Sequence, residues 1–148
     1  MVKNTTYLIL FSMIFSLFWS ACFGQNMKDH LWKNRILLIK TDNIKAKKYT
    51  TQFKELLNLD EQLKERKLIV YAIHGTHFSA VDYVTNTKES GSISGEAKGQ
   101  LFQIDAHFEL ILIGLDGRIK LQQNEVISAK NLFAIIDAMP MRKYKQQD

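Results

Sequence analysis

Apolar and polar positions change period several times along the chain, and each change predicts an element. Ile36 to Ile39 form an apolar run between Arg35 and Lys40, and its length and branched residues predict a buried strand. Tyr49, Phe53, Leu56 and Leu57 then recur at helical spacing and predict a helix over 49–64, with 59–66 as its end or as a second short helix. Asp42 or Asn43 is placed to cap it. Leu68 to Ile73 reads as a central strand of the kind found in parallel pairs, so strand, helix and strand predict one βαβ unit.

The middle of the chain carries a weaker pattern. Val81 to Val84 fits a brief strand or turn, and residues 85–99, rich in Thr, Ser, Gly, Lys and Glu, read as an exposed loop. Leu101, Phe102 and Ile104 are expected to re-enter the core, and Trp32 to anchor it early in the chain. Phe108 to Ile113 is a third apolar run, interrupted only by Glu109. Asp116-Gly117 signals a tight turn. Alternation follows, with Arg118, Lys120 and Gln122 outward and Ile119 and Leu121 inward, which predicts an antiparallel hairpin. Ser128 is a candidate N-cap, with Ile127 and Leu132 spaced as a hydrophobic staple. Ala129, Leu132, Phe133, Ile136 and Met139 give a terminal helix its apolar stripe, which Pro140 stops.

The first 24 residues are set aside as an export signal. Lys3 precedes an apolar stretch from Tyr7 to Trp19, and small residues follow at Ser20, Ala21, Cys22 and Gly24. Three readings stay open: cleavage after Gly24, lipid attachment at Cys22, and an uncleaved membrane anchor. The first makes the domain periplasmic or secreted. The others make it an envelope lipoprotein or a membrane-anchored protein with its domain outside the cytoplasm. Residues 25–148 then form one domain without cysteine, because Cys22 is the sole cysteine of the 148 residues. That excludes thiol–disulfide exchange from the domain, since exchange requires an attacking thiolate. The net charge of +5 is spread among interspersed acids and bases, so no nucleic-acid stripe is expected. No Gly-rich phosphate loop, nucleophile elbow or His-Glu-x-x-His helix occurs, and no cofactor is expected.

The order βαβ, insertion, hairpin and helix resembles a thioredoxin-like α/β fold. Leu112-Ile113-Gly114-Leu115-Asp116-Gly117-Arg118-Ile119-Lys120 and Ile136-Asp137-Ala138-Met139-Pro140-Met141-Arg142 resemble the DUF4174 family. So do Trp32, Arg35-Ile36-Leu37-Leu38 and Glu65-Arg66. The likeness spans about residues 30–144. It implies a thioredoxin-related domain like those of bacterial exported proteins and some extracellular matrix proteins. Leu115 stands where the family's hairpin usually has Lys, which weakens any role for a charge at that turn.

Candidate sites follow from these elements. The redox position of a thioredoxin lies after the first strand, here Thr41 to Lys45, with no Cys, Ser or His. Thr41, Asp42 and Asn43 still occupy the carboxyl end of a parallel strand, where open α/β sheets place ligands. His74 and His77 follow the second strand as ligand candidates, and with Asp82 or His107 they are candidate zinc ligands, though no tight set of four is visible. Arg118, Lys120, Arg142 and Lys143 form a candidate basic patch for a carboxylate, a phosphate or a protein. Asp116, Gly117, Asp137 and Pro140 are assigned structural roles, with Asp137 latching Arg142 or backbone N–H groups. The expected role is a non-catalytic binding or structural one, with a protein or small anionic ligand as partner. Membrane contact is expected only through the N-terminal segment or a lipidated Cys22. The alternative is a hydrolase or non-thiol oxidoreductase using His and Asp side chains.

Overall fold

The computed structural model describes residues 27–140. It is a mixed α/β fold with one six-stranded sheet. In chain order the elements are β1 (Arg35–Thr41), α1 (Lys47–Leu56), α2 (Asp60–Glu65), β2 (Leu68–His74), β3 (His77–Asp82) and β4 (Thr87–Ser92). Then come α3 (Gly95–Leu101), β5 (Phe108–Ile113), β6 (Ile119–Gln123) and α4 (Ala129–Asp137). The sheet order is β4-β3-β2-β1-β5-β6. β1 runs parallel to β2 and antiparallel to β5, and the remaining pairs are antiparallel.

Every residue of β1 is buried, as a strand between two others and between two helical layers must be. Its alternate side chains feed two cores. Leu37 and Ile39 join Leu56, Leu63, Leu132 and Ile136 on the face covered by α1, α2 and α4. Ile36 and Leu38 join Tyr71, Phe78, Ile93 and Phe102 on the other face, against which Ala97 and Leu101 of α3 pack.

Where the pattern was strong, prediction and structure agree. β1, β2, β5 and β6 stand where the apolar runs and the alternation put them. Ser128 caps α4 by accepting from Asn131 N at 3.3 Å, and the helix ends at Asp137, before Pro140. Asp116-Gly117 makes the hairpin turn with Gly117 at φ +72, a conformation glycine adopts without strain.

Several expectations need correction. Of the two readings of 59–66 the structure takes the second: a separate short helix, parted from α1 where Asn58 turns left-handed at φ 62, so no single helix runs over 49–64. Neither Asp42 nor Asn43 caps α1: its N-cap is Ala46, with no side-chain bond. Residues 85–99 are not a loop but contain β4 and most of α3, the latter capped by Ser94 accepting from Ala97 N at 3.1 Å. The β4 sequence TKESGS has no apolar alternation and owes its form to its neighbour. Gly91 pairs with Phe78, and a Cβ there would stand 2.8 Å from the Phe78 ring, so only glycine lets the ring lie across the strand. Ile104 is 89% exposed rather than core. Ile119 is exposed beside the register shift at Leu112/Ile113, which turns it outward.

One half-buried cluster ties the N-terminal turn to the sheet. His30 Nε2 lies 2.9 Å from the Tyr71 hydroxyl, which donates to Glu89 Oε1 at 2.9 Å. Burial pushes the Tyr71 pKa well up, and the Glu89 carboxylate adds to it. Burial also holds His30 below its ordinary 6.5, against the opposing pull of Glu89, Asp82 and Asp29 and with a smaller push from Lys33. The fold therefore favours neutral His30. Its contribution to stability is complete above the ordinary value of 6.5 and is lost as pH falls below it, because the unfolded chain then binds the extra proton. Urea midpoints taken from about pH 7 to about pH 5.5 are expected to fall for the native chain and to fall less for His30→Gln.

Candidate functional site

The two ends of the sheet collect different chemistry. At the carboxyl end of β1, Thr41 is fully buried. Its hydroxyl donates to the Asn43 carbonyl at 2.9 Å and accepts from Asn43 N at 3.1 Å, so the loop is locked rather than armed. Asp42 turns to solvent and meets His107, with Oδ2 3.1 Å from Nδ1. The Asp42 N–H also donates to the His107 carbonyl at 3.0 Å, which joins the end of β1 to the approach to β5. Asp42, Asn43, Lys47, Lys48, His107 and Asn124 line a cavity of about 490 Å³ there.

His74 and His77 reach the same end of the sheet but not that cavity. They sit in strands, not in a free loop, and face each other across the two-residue turn Gly75-Thr76, both exposed. Gly75 has φ +60, which suits the first position of a hairpin turn. Thus Asp42 and His107 are brought together, while His74 and His77 pair with each other. Among the described residues no group of three or more His, Cys, Asp or Glu side chains could hold a metal ion.

Beneath this end lies a polar set that residue spacing did not show. Lys40 and Glu109 are direct cross-strand partners inside the sheet, 3% and 0% exposed. Lys40 Nζ donates to the carbonyls of Ala106 and, at 3.3 Å, Gln103. Glu109 accepts from Gln103 N at 2.8 Å and from Gln122 Nε2 at 2.6 Å. Together they hold the 103–106 segment onto the sheet. Glu109 inside one apolar run and Lys40 at the end of another were the available signal.

The amino end of β1 gathers the other candidates. Trp32, Arg35, Leu115, Asp116, Arg118, Lys120, Met139 and Pro140 line a cavity of about 440 Å³. Trp32 is not a core anchor: it is 60% exposed and held at φ 64. Its N–H donates to the Leu115 carbonyl at 2.7 Å, which pins the turn to the β5–β6 connection. Arg35 is 2% exposed and donates through Nη1 to the Arg66 carbonyl at 2.8 Å. Lys120 Nζ binds Asp116 Oδ2 at 2.7 Å, and this hydrogen bond draws the Asp116 pKa below its usual value. Arg118 enters no ion pair among the described residues.

Asp137 holds Arg66, whose guanidinium lies 2.6 Å from Asp137 Oδ2 and 4.2 Å over the Phe133 ring. Arg142 and Lys143 of the expected basic patch lie outside the described residues, as do Met141, Cys22 and the rest of the expected export segment, residues 1–24.

The described residues thus form a mixed α/β fold with a groove at each end of its sheet. The chain belongs to the family described as Domain of unknown function (DUF4174), whose model matches residues 26–145. No curated protein matches it. No helix among the described residues is long and apolar enough to cross a membrane.

Proposed function

We propose that this chain is an exported, thioredoxin-like domain that binds a ligand rather than transforming one, and that the ligand is an anion or an anionic group of a protein. The observation that carries the reading is the groove at the amino end of β1. There an exposed Trp32 and the Arg118 guanidinium, which has no ion-pair partner among the described residues, share one cavity with Leu115 and Met139. The order β2-β1-β5-β6, parallel in its first pair and antiparallel after it, supports the thioredoxin-like part. The apolar stretch from Tyr7 to Trp19 and the small residues after it support export, to the periplasm or beyond. The locked Thr41 hydroxyl and a cysteine-free domain support binding over thiol or hydroxyl catalysis.

Acetate, added in place of chloride at equal ionic strength, is expected to raise the thermal midpoint of the native protein by ligand linkage. The rise should vanish in Arg118→Glu. An equal rise in both proteins rejects the reading.

The Asp42–His107 contact favours a second reading, acid–base chemistry in a hydrolase or non-thiol oxidoreductase. A turnover that His107→Gln abolishes while the fold stays intact would establish it.

A further inference from the structure

We infer that the groove at the amino end of β1 recognises a monovalent carboxylate joined to an aromatic or other flat apolar group. This rests on the anion-binding reading and names its ligand class.

The charge follows from which cations the groove keeps for itself. Lys120 is engaged by Asp116 at 2.7 Å. Arg35 is nearly sealed and spends Nη1 on the Arg66 carbonyl. Arg118 is the guanidinium left at the rim: its charge and its backbone N–H, donating to Asp116 Oδ1 at 3.2 Å, both act on Asp116, but its side chain makes no hydrogen bond or ion pair among the described residues. One planar fork matches one carboxylate. A phosphate dianion would call for a second free cation, and the groove offers none among the described residues.

The apolar half follows from Trp32. A bulky residue in the left-handed region costs about 1–2 kcal/mol relative to an ordinary φ. Such strain persists where surrounding structure imposes it, and here the Trp32 N–H bond to Leu115 does so. Leu31 reinforces it, lying 2.9 Å from where a Cβ on Gly117 would stand. The strain is not repaid by burial, because the indole stays 60% exposed. Its result is an aromatic wall facing a cavity whose other apolar lining is Leu115, Met139 and Pro140. A cavity of about 440 Å³ takes a ligand of amino-acid size. Such a carboxylate could be a free small acid or the end of a polypeptide.

The test is isothermal titration of the protein purified in the form in which cells export it. The probes are N-acetylphenylalanine, its carboxamide, N-acetylglycine, inorganic phosphate and a peptide ending in phenylalanine. N-acetylphenylalanine should bind at least about tenfold more tightly than its carboxamide, N-acetylglycine or phosphate, a difference of about 1.4 kcal/mol each. Arg118→Gln should weaken it by about tenfold or more, as the loss of a charge-assisted bond does. Trp32→Gly should weaken it similarly while leaving the thermal midpoint unchanged or higher, because glycine relieves the positive φ. A wall serving only the fold would instead lower that midpoint. A peptide binding more tightly than the acid assigns the site to chain termini, and the reverse assigns it to a free acid; both uphold the carboxylate. Equal binding of acid and carboxamide, or undiminished binding by Trp32→Gly, overturns the inference. If the Arg118-dependent acetate effect survives that result, the anion-binding reading stands without it. If that effect is also missing, both fall.

Discussion

Glu109→Leu is expected to destabilise the protein by about 3–5 kcal/mol, read as a lower urea midpoint at unchanged slope. Glu109 is completely buried, and its two carboxylate oxygens take the Gln103 N–H and the Gln122 amide. Its removal takes away two hydrogen bonds to a charged acceptor. Lys40, its cross-strand partner at 3% exposure, donates to the carbonyls of the same 103–106 segment, so both side chains hold that segment to the sheet. A loss of this size is a large share of the 5–15 kcal/mol a domain typically has. Lys40→Met combined with Glu109→Leu should recover part of it, because an apolar pair needs no compensation in a dry core. Additive losses in the double variant would show that the two residues do not act as a unit. Through the 103–106 segment the same network supports His107, so the single variant should also loosen the Asp42–His107 contact.

Gln52→Ala is the second large effect, expected to cost about 2–4 kcal/mol. Gln52 is a fully buried amide on α1 that reads the backbone of one residue twice. Its Nε2 donates to the Ile127 carbonyl at 3.1 Å, and its Oε1 accepts from Ile127 N at 2.9 Å. This is a strand-like pairing made by a side chain, just before the Ser128 cap. Alanine leaves both backbone groups buried without partners. The cost should appear as faster hydrogen exchange at Ile127 and in the first turn of α4, ahead of the rest of the sheet. Protection lost evenly over the whole domain would contradict this local role.

The sequence made the centre of the fold legible and its margins obscure, for physical reasons. β1, β2 and β5 are buried on both faces and read as apolar runs. Ser128 and Pro140 mark helix ends through local chemistry that a short window contains. β4 was illegible because its strand form comes from pairing with β3 and from the Phe78 ring over Gly91, both long-range facts. Trp32 was misread as core because an isolated aromatic carries no period to say which way it faces.

The site divides in the same way. Arg118, Lys120 and Asp116 were visible from the hairpin's alternation, and the structure adds that Lys120 and Asp116 satisfy each other. The convergence of Trp32 and Arg35 on that hairpin joins segments about 80 residues apart, and only the folded sheet shows it. Asp42 and His107 are separated by 65 positions and meet only because β1 and β5 are antiparallel neighbours. His74 and His77, close in sequence, pair across a hairpin turn and stay away from that groove.

The central claim is that the ligand surface lies at the amino end of β1. Its most direct test is an amide NMR titration of the isotope-labelled protein with N-acetylphenylalanine. Shifts concentrated at Trp32, Leu115, Arg118, Lys120 and Met139, with the Trp32 indole among the largest, are the predicted result. Shifts centred instead on Asp42, Asn43, Lys48 and His107 would place the ligand at the opposite end of the sheet and contradict the claim.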